Sequence, residues 1–313
     1  MISEYKYRGR LMNMTKSVFL ELIEVKSLTA SIIPFTIGLL YTWYNYQVID
    51  PINTIIFFIA MLLFDASVNV LDNFNHFLQA KDVEEYRNQT NIVGRAGLSK
   101  SIVLAILVAF IGIAGIGGIY LVYRSGLSLL WMGLFCFAIG FLYTMGPKPI
   151  ADTPFGEFFS GITMGFVITL ITVYINIYQQ FTWSWGLIAP IFLISLPNVL
   201  WIANIMLDNN ICDLQEDIDN DRHTIVWYLG KRNSVILFIS LNVIAYVAIV
   251  LAVVMQIAPW ETLLCFLAAP LVYKQVRIFA HKQVKTETFI CSVKILVIGG
   301  LSMALFFGVG MVI

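Results

Sequence analysis

The sequence predicts an all-α fold, a polytopic membrane bundle of about nine transmembrane helices forming one domain over residues 1–313. Three observations predict it. Only 12% of residues are charged while 59% are hydrophobic. Soluble domains carry about 25% charged residues, so much of the outer surface here must face lipid. Apolar runs of about 20 residues, the length that crosses a hydrocarbon core of roughly 30 Å, recur along the chain. The basic residues gather in alternate connections, as they do in the cytoplasmic loops of membrane proteins.

The runs fall near 28–46, 53–73, 101–123, 127–145, 155–178, 185–207, 234–256, 260–279 and 290–312. The connections at 124–126 and 257–259 are so short that they must be tight hairpins. With the N-terminus inside, every Lys and Arg falls in an inside segment except Arg124, which is outside, and Lys294, which lies within the last run. The expected arrangement is therefore a multi-pass protein of the cell membrane with a cytoplasmic N-terminus and an external C-terminus. The polar, basic start, MISEYKYRGRLMNMTK, shows no cleavable signal pattern ahead of the first run.

A formal net charge of +0 argues against a nucleic-acid partner. Cys136, Cys212, Cys265 and Cys291 are widely spaced and form no Cys-x-x-Cys pair, so neither a disulfide framework nor a zinc site is expected. The acidic residues are as one-sided as the basic ones. They crowd two inside segments, one beginning at the end of the second run and one at the end of the sixth. In the first, Asn69, Asp72 or Asn73, and His76 recur at three to four residues; in the second, Asn209, Asp213 and Asp217 do the same. Helical residues at that separation share a face, so each span is expected to end in a stripe of oxygen ligands. Asp208, Glu216, Asp219 and Asp221 add to the second cluster. Such clusters repel themselves, and Mg²⁺, a hard cation that binds oxygen and bridges to substrate phosphates, relieves the repulsion. Asp65 sits two turns inside the second run. Ionisable groups at membrane depth are costly, so it is expected to face the bundle interior. His223 and His281 are expected to be solvated.

Four segments resemble the UbiA-type intramembrane prenyltransferases, and most closely the branch that prenylates 1,4-dihydroxy-2-naphthoate. They are LELIEVKSLTASIIPFTIG (20–38), NVLDNFNHFLQAKD (69–82), YTMGPKPIADTPFGEFFSG (143–161) and NNICDLQEDIDNDRHTIVWYLG (209–230). The resemblance implies a nine-helix bundle around a central cavity open sideways to lipid. It implies Mg²⁺ held by two Asp-rich motifs against the diphosphate of a polyprenyl donor, and an aromatic acid as acceptor. Carried onto this sequence, Asn69, Asp72, Asn73, His76 and Asp82 of the first motif and Asp213 and Asp217 of the second are the metal-site residues. Asp72, Asp213 and Asp217 are the catalytic ones among them. Asn209 and Asn210 match the paired asparagines of the second motif and are expected to bind substrate. Arg95 and Lys148 are the basic residues expected to hold diphosphate oxygens, which favour charge-assisted contacts. The chain departs from the family pattern in four places. Glu24-Val25 replaces Arg-Pro; Asp72-Asn73 reverses Asn-Asp; His76 replaces an aspartate; and Cys212 replaces an arginine.

Two other functions compete. Within the family, the acceptor is 4-hydroxybenzoate or haem instead. From another class, a secondary transporter places its ion site at broken helices near the bilayer midplane, whereas both clusters here lie toward the inside face.

Overall fold

The computed structural model describes residues 14–79 and 91–313, Gln79 in its backbone alone. Asp82 of the first motif, with Lys81 and Arg87, lies outside the described residues, as do Lys6, Arg8 and Arg10. Every regular element among the described residues is helical.

α1 (Lys16–Leu22) is short and is capped by the Thr15 hydroxyl, which accepts the Val18 N–H. α2 (Thr29–Tyr46) follows. α3 (Pro51–Gln79) starts on Asp50, whose Oδ1 accepts the N–H groups of Ile52 and Asn53, each at 3.0 Å; proline suits the first helical position because its missing N–H has no partner there anyway. α4 (Ile92–Arg95) is one turn long, with the Asn91 side chain as its cap. α5 (Lys100–Ser125) and α6 (Leu127–Thr144) form the expected hairpin through Gly126, whose φ of 92° suits glycine. α7 (Gly156–Ile177), α8 (Trp185–Cys212), α9 (Leu214–Asp219), α10 (Ile225–Val254), α11 (Trp260–His281) and α12 (Lys285–Val309) complete the bundle.

Among the described residues eight helices, α3, α5, α6, α7, α8, α10, α11 and α12, are long and apolar enough to cross a membrane. Nine spans were expected; the first is less apolar than the other eight, yet it still runs the length of the bundle, from Ser31 beside Asp65 to Asn45 beside the Ile257 carbonyl. Run 28–46 folds as α2, whose 18 residues rise about 27 Å at 1.5 Å each. Its last stretch, Tyr-Thr-Trp-Tyr-Asn-Tyr over 41–46, is aromatic and polar rather than aliphatic. α2 is an interior helix: Ile33, Ile37 and Tyr41 are buried, and it packs chiefly on α7. α5 by contrast presents Ile116 and Ile119 at 71% and 72% exposure, and α6 presents Trp131. Contiguous apolar surface of that kind is covered by lipid in a membrane protein.

Hydrogen bonds at both ends fix the layout. At one end the Asp50 N–H, ahead of α3, donates to Asn176 Oδ1 at 2.7 Å, near the end of α7. At the other, Asn75 near the end of α3 donates to the Thr144 carbonyl at 2.8 Å, and Asn210 near the end of α8 donates to Glu157 at the start of α7 at 2.8 Å. The two acidic segments therefore lie at one end of the bundle. α7 runs as a π-helix from Gly161 to Val167, a widened turn that is common at functional sites. The same stretch lies hard against α8: a Cβ on Gly165 would come within 2.6 Å of the Val199 backbone, and one on Gly161 within 2.6 Å of the Val199 carbonyl oxygen. Two open concavities, of about 690 Å³ beside Asp50 and Arg124 and about 380 Å³ beside Trp131 and Trp183, lie away from the acidic end.

Candidate active site

The first cluster is a polar seam between α3 and the chain that joins α1 to α2. Three rungs cross it. Asn73 Nδ2 donates to Glu24 Oε1 at 3.0 Å, Asn69 Nδ2 to Ser27 Oγ at 2.8 Å, and Ser31 Oγ to Asp65 Oδ2 at 2.6 Å. Residues 65, 69 and 73 are four apart and share one helical face, which is why the seam is regular. Asp65 thus faces the interior, as its depth in the sequence predicts. Both asparagines spend their amide N–H groups on protein. Asn69 also donates to the Ile23 carbonyl at 3.1 Å, and Asn73 to the Asn69 carbonyl at 3.1 Å. Asp72 is half-buried beside His76, with Nε2 and Oδ1 3.6 Å apart.

The second cluster is built on the end of α8, on α9, and on the turn before α10. Asp217 is fully buried. Its Oδ1 accepts from Arg222 Nη1 at 2.7 Å, and the same guanidinium donates from Nε to Asp152 Oδ1 at 2.6 Å. The His223 N–H donates to the Asp152 carbonyl at 3.0 Å, so Arg222 and His223 together tie the 150–152 turn to the second motif. Asp213, nearly buried, is paired with Lys285 at the start of α12. Asn210 is buried and held by Glu157, itself buried at the start of α7. One oxygen of each acid, Glu157 Oε2 and Asp217 Oδ2, is buried with no hydrogen-bond partner. Burial pushes the Asp217 carboxyl up from 3.8 to about 6, against the opposing pull of Arg222.

The two clusters meet. Arg222 and Lys285 lie within electrostatic range of Asp72 as well as of their own partners. Asp72, Asp213 and Asp217 thus all lie within the field of the same two cations. Asn209 is half-buried on α8. Arg95 is paired with Glu21 at the exposed edge, and Lys148 is exposed in the connection after α6. Among the described residues no three His, Cys, Asp or Glu side chains converge as a closed metal cage. The donor set still suits Mg²⁺, which keeps several waters and takes one or two carboxylates plus substrate phosphate rather than an all-protein cage. The unpartnered Asp217 Oδ2 is a hard oxygen available for it.

Sequence reading passed over Asp152, Glu157, Arg222 and Lys285. Arg222 and Lys285 counted only toward the inside-positive bias. Glu157 carried a usable signal, an acid opening an apolar run of more than 20 residues.

Comparison with known proteins agrees with this geometry. Residues 31–310 match the UbiA prenyltransferase family. The chain is 31% identical over 264 residues to the 1,4-dihydroxy-2-naphthoate octaprenyltransferase of Bacillus subtilis (strain 168), covering 84% of this chain and 82% of that one. Its fold is similar to the apo structure of a UbiA homologue from Aeropyrum pernix K1, at a TM-score of 0.65 and 18% identity over 88% of this chain and 97% of the other. It is also similar to a UbiA homologue from Archaeoglobus fulgidus bound to DMAPP and Mg²⁺, at a TM-score of 0.60 and 12% identity over 94% and 99%. A family match across most of the chain, on a fold that gathers both acidic motifs at one end of a membrane bundle, shows that this chain belongs to the UbiA prenyltransferase family of membrane enzymes.

Proposed function

We propose that the chain transfers a polyprenyl group from a polyprenyl diphosphate to 1,4-dihydroxy-2-naphthoate, with loss of the ring carboxylate as CO₂, giving demethylmenaquinol. The observation that carries the acceptor is the 31% identity over 84% of the chain to the naphthoate octaprenyltransferase. The observation that supports the chemistry is the meeting of Asp72, Asp213 and Asp217 with Arg222 and Lys285.

The allylic C–O bond breaks when the diphosphate can carry away its electrons. When bound, Mg²⁺ would supply the positive charge that neutralises the leaving diphosphate. Asp72, Asp213 and Asp217 would hold the metal, with Asn69 and Asn73 beside them on the first motif. Asp82 and His76 are the further ligand candidates of the first motif. The Lys285 ammonium and Arg222 guanidinium serve as diphosphate donors near the carboxylates, and Arg95 and Lys148 serve at the exposed edge. Asn209 and Asn210 order the end of α8, Asn210 through Glu157. The apolar helices that carry the seam would keep the prenyl tail in an apolar environment while its head meets the charges.

Three outcomes follow. Purified protein given Mg²⁺, a polyprenyl diphosphate and 1,4-dihydroxy-2-naphthoate should release CO₂ and a prenylated naphthoquinol, and EDTA should stop the reaction. Turnover of 4-hydroxybenzoate or haem with none of the naphthoate would reject the acceptor and leave prenyl transfer standing. The second outcome concerns pH. Asp217 must be charged to hold metal, and folding raises its pKa, so its charged form is the costly one in the folded state; that cost is full above about pH 6 and absent below the ordinary 3.8. Mg²⁺-dependent rate should therefore fall about tenfold per unit as pH drops below about 6. Arg222→Gln, which removes the opposing cation, should move that inflection upward; an inflection that stays in place would separate Asp217 from the metal step. The third concerns orientation, which we place with the N-terminus and both acidic loops in the cytoplasm and the C-terminus outside. In a cysteine-free background, an impermeant thiol reagent outside intact cells should label a cysteine at Gly126 and spare one at Asn220. Labelling of both from one side would refute it.

A further inference from the structure

We infer that Glu24 is a positioning residue of the first motif, one that turns the carbonyl oxygen of Asn73 toward the metal–diphosphate site. The inference rests on the site proposed above. A side-chain amide has two ends of opposite polarity, and only its oxygen can face a cation. Asn73 places both amide N–H groups on acceptors, Glu24 Oε1 at 3.0 Å and the Asn69 carbonyl at 3.1 Å. Its Oδ1 is thereby turned away from both, and among the described residues it accepts no hydrogen bond. Asn69 repeats the device one turn deeper, with Ser27 and the Ile23 carbonyl as the two acceptors.

Glu24 itself is held for this contact. It stands at φ 49°, in the left-handed region that non-glycine residues seldom adopt. Its carbonyl accepts both the N–H and the hydroxyl of Ser27, at 2.7 and 2.8 Å, and its own N–H donates to the Glu21 carbonyl at 3.0 Å. These bonds reverse the chain between α1 and α2 and carry the carboxylate to the end of α3. Strain kept at a residue that contacts a candidate ligand is common at functional sites.

Binding of Mn²⁺, followed by its electron paramagnetic resonance in full-length protein with inorganic pyrophosphate, tests this without turnover. An arginine at 24 can only donate, so it flips the amide and presents N–H to the metal. Glu24→Arg should weaken Mn²⁺ binding tenfold or more. Adding Asn73→Asp, a side chain with oxygen at both ends, should restore it to within threefold of the parent. Glu24→Gln, whose carbonyl still accepts the amide, should stay within threefold. Should Glu24→Arg fail to fold, Glu24→Ala and its combination with Asn73→Asp are read the same way: the single loses affinity and the double regains it. A double variant no tighter than the single, or a single equal to the parent, overturns the inference. Asp213→Asn serves as the reference. If it weakens Mn²⁺ binding while Glu24→Arg does not, only the role of Glu24 is refuted; if it too has no effect, the metal site itself is.

Discussion

Carboxylates buried at the end of a membrane bundle must be neutralised, and the rest of this structure depends on how Arg222 and Lys285 meet that constraint. Asp217 is wholly buried and Asp213 nearly so, where an unpaired charge costs several kcal/mol. Arg222 answers with a planar fork that reaches Asp217 and Asp152 at once, a geometry lysine cannot supply. Because Asp152 belongs to the connection before α7, the same ion pair closes that connection over the second motif. Lys285 does the same for the start of α12. Both cations also reach Asp72, so electrostatics joins the two motifs.

Packing makes that meeting possible. α7 and α8 approach until the Gly161 and Gly165 positions leave no room for a Cβ against Val199, and the π-helical stretch of α7 lies at the contact. Close approach of this kind holds Glu157 against Asn210, which orders the last turn of α8 just before Asp213. The seam of α3 does the matching work on the other side: each of its rungs joins a residue on one face of α3 to the chain around the start of α2. Both motifs therefore sit on helix ends that are fixed by neighbours rather than on free loops. Such support keeps a binding constellation within the narrow geometry that catalysis needs.

Much of this was legible in the sequence. Apolar runs gave the membrane helices because length and composition dictate them. Asn69, Asn73, Asp213 and Asp217 declared themselves by helical spacing, and Gly126 by the brevity of its hairpin. The lower apolarity of α2 was legible in its aromatic, polar final turns over 41–46; that the helix lies inside the bundle was not, because its packing on α7 depends on the fold. Nor were Arg222 and Lys285, since a basic residue in an inside loop looks the same whether it is solvated or bound to a buried acid. The departures at Glu24 and Asn73 read as two separate oddities in sequence. In the structure they are one hydrogen bond, and only the fold could join residues 49 positions apart.

The central claim is that the two motifs form one site. It is tested most directly by a double-mutant cycle on metal–pyrophosphate affinity, measured calorimetrically for the parent, Asp72→Asn, Asp217→Asn and the pair. Residues that share one ligand couple by about 0.5–3 kcal/mol, whereas distant, independent residues add. The account predicts that the double variant loses barely more affinity than the worse single one. Losses that simply add, each motif acting without regard to the other, would contradict it.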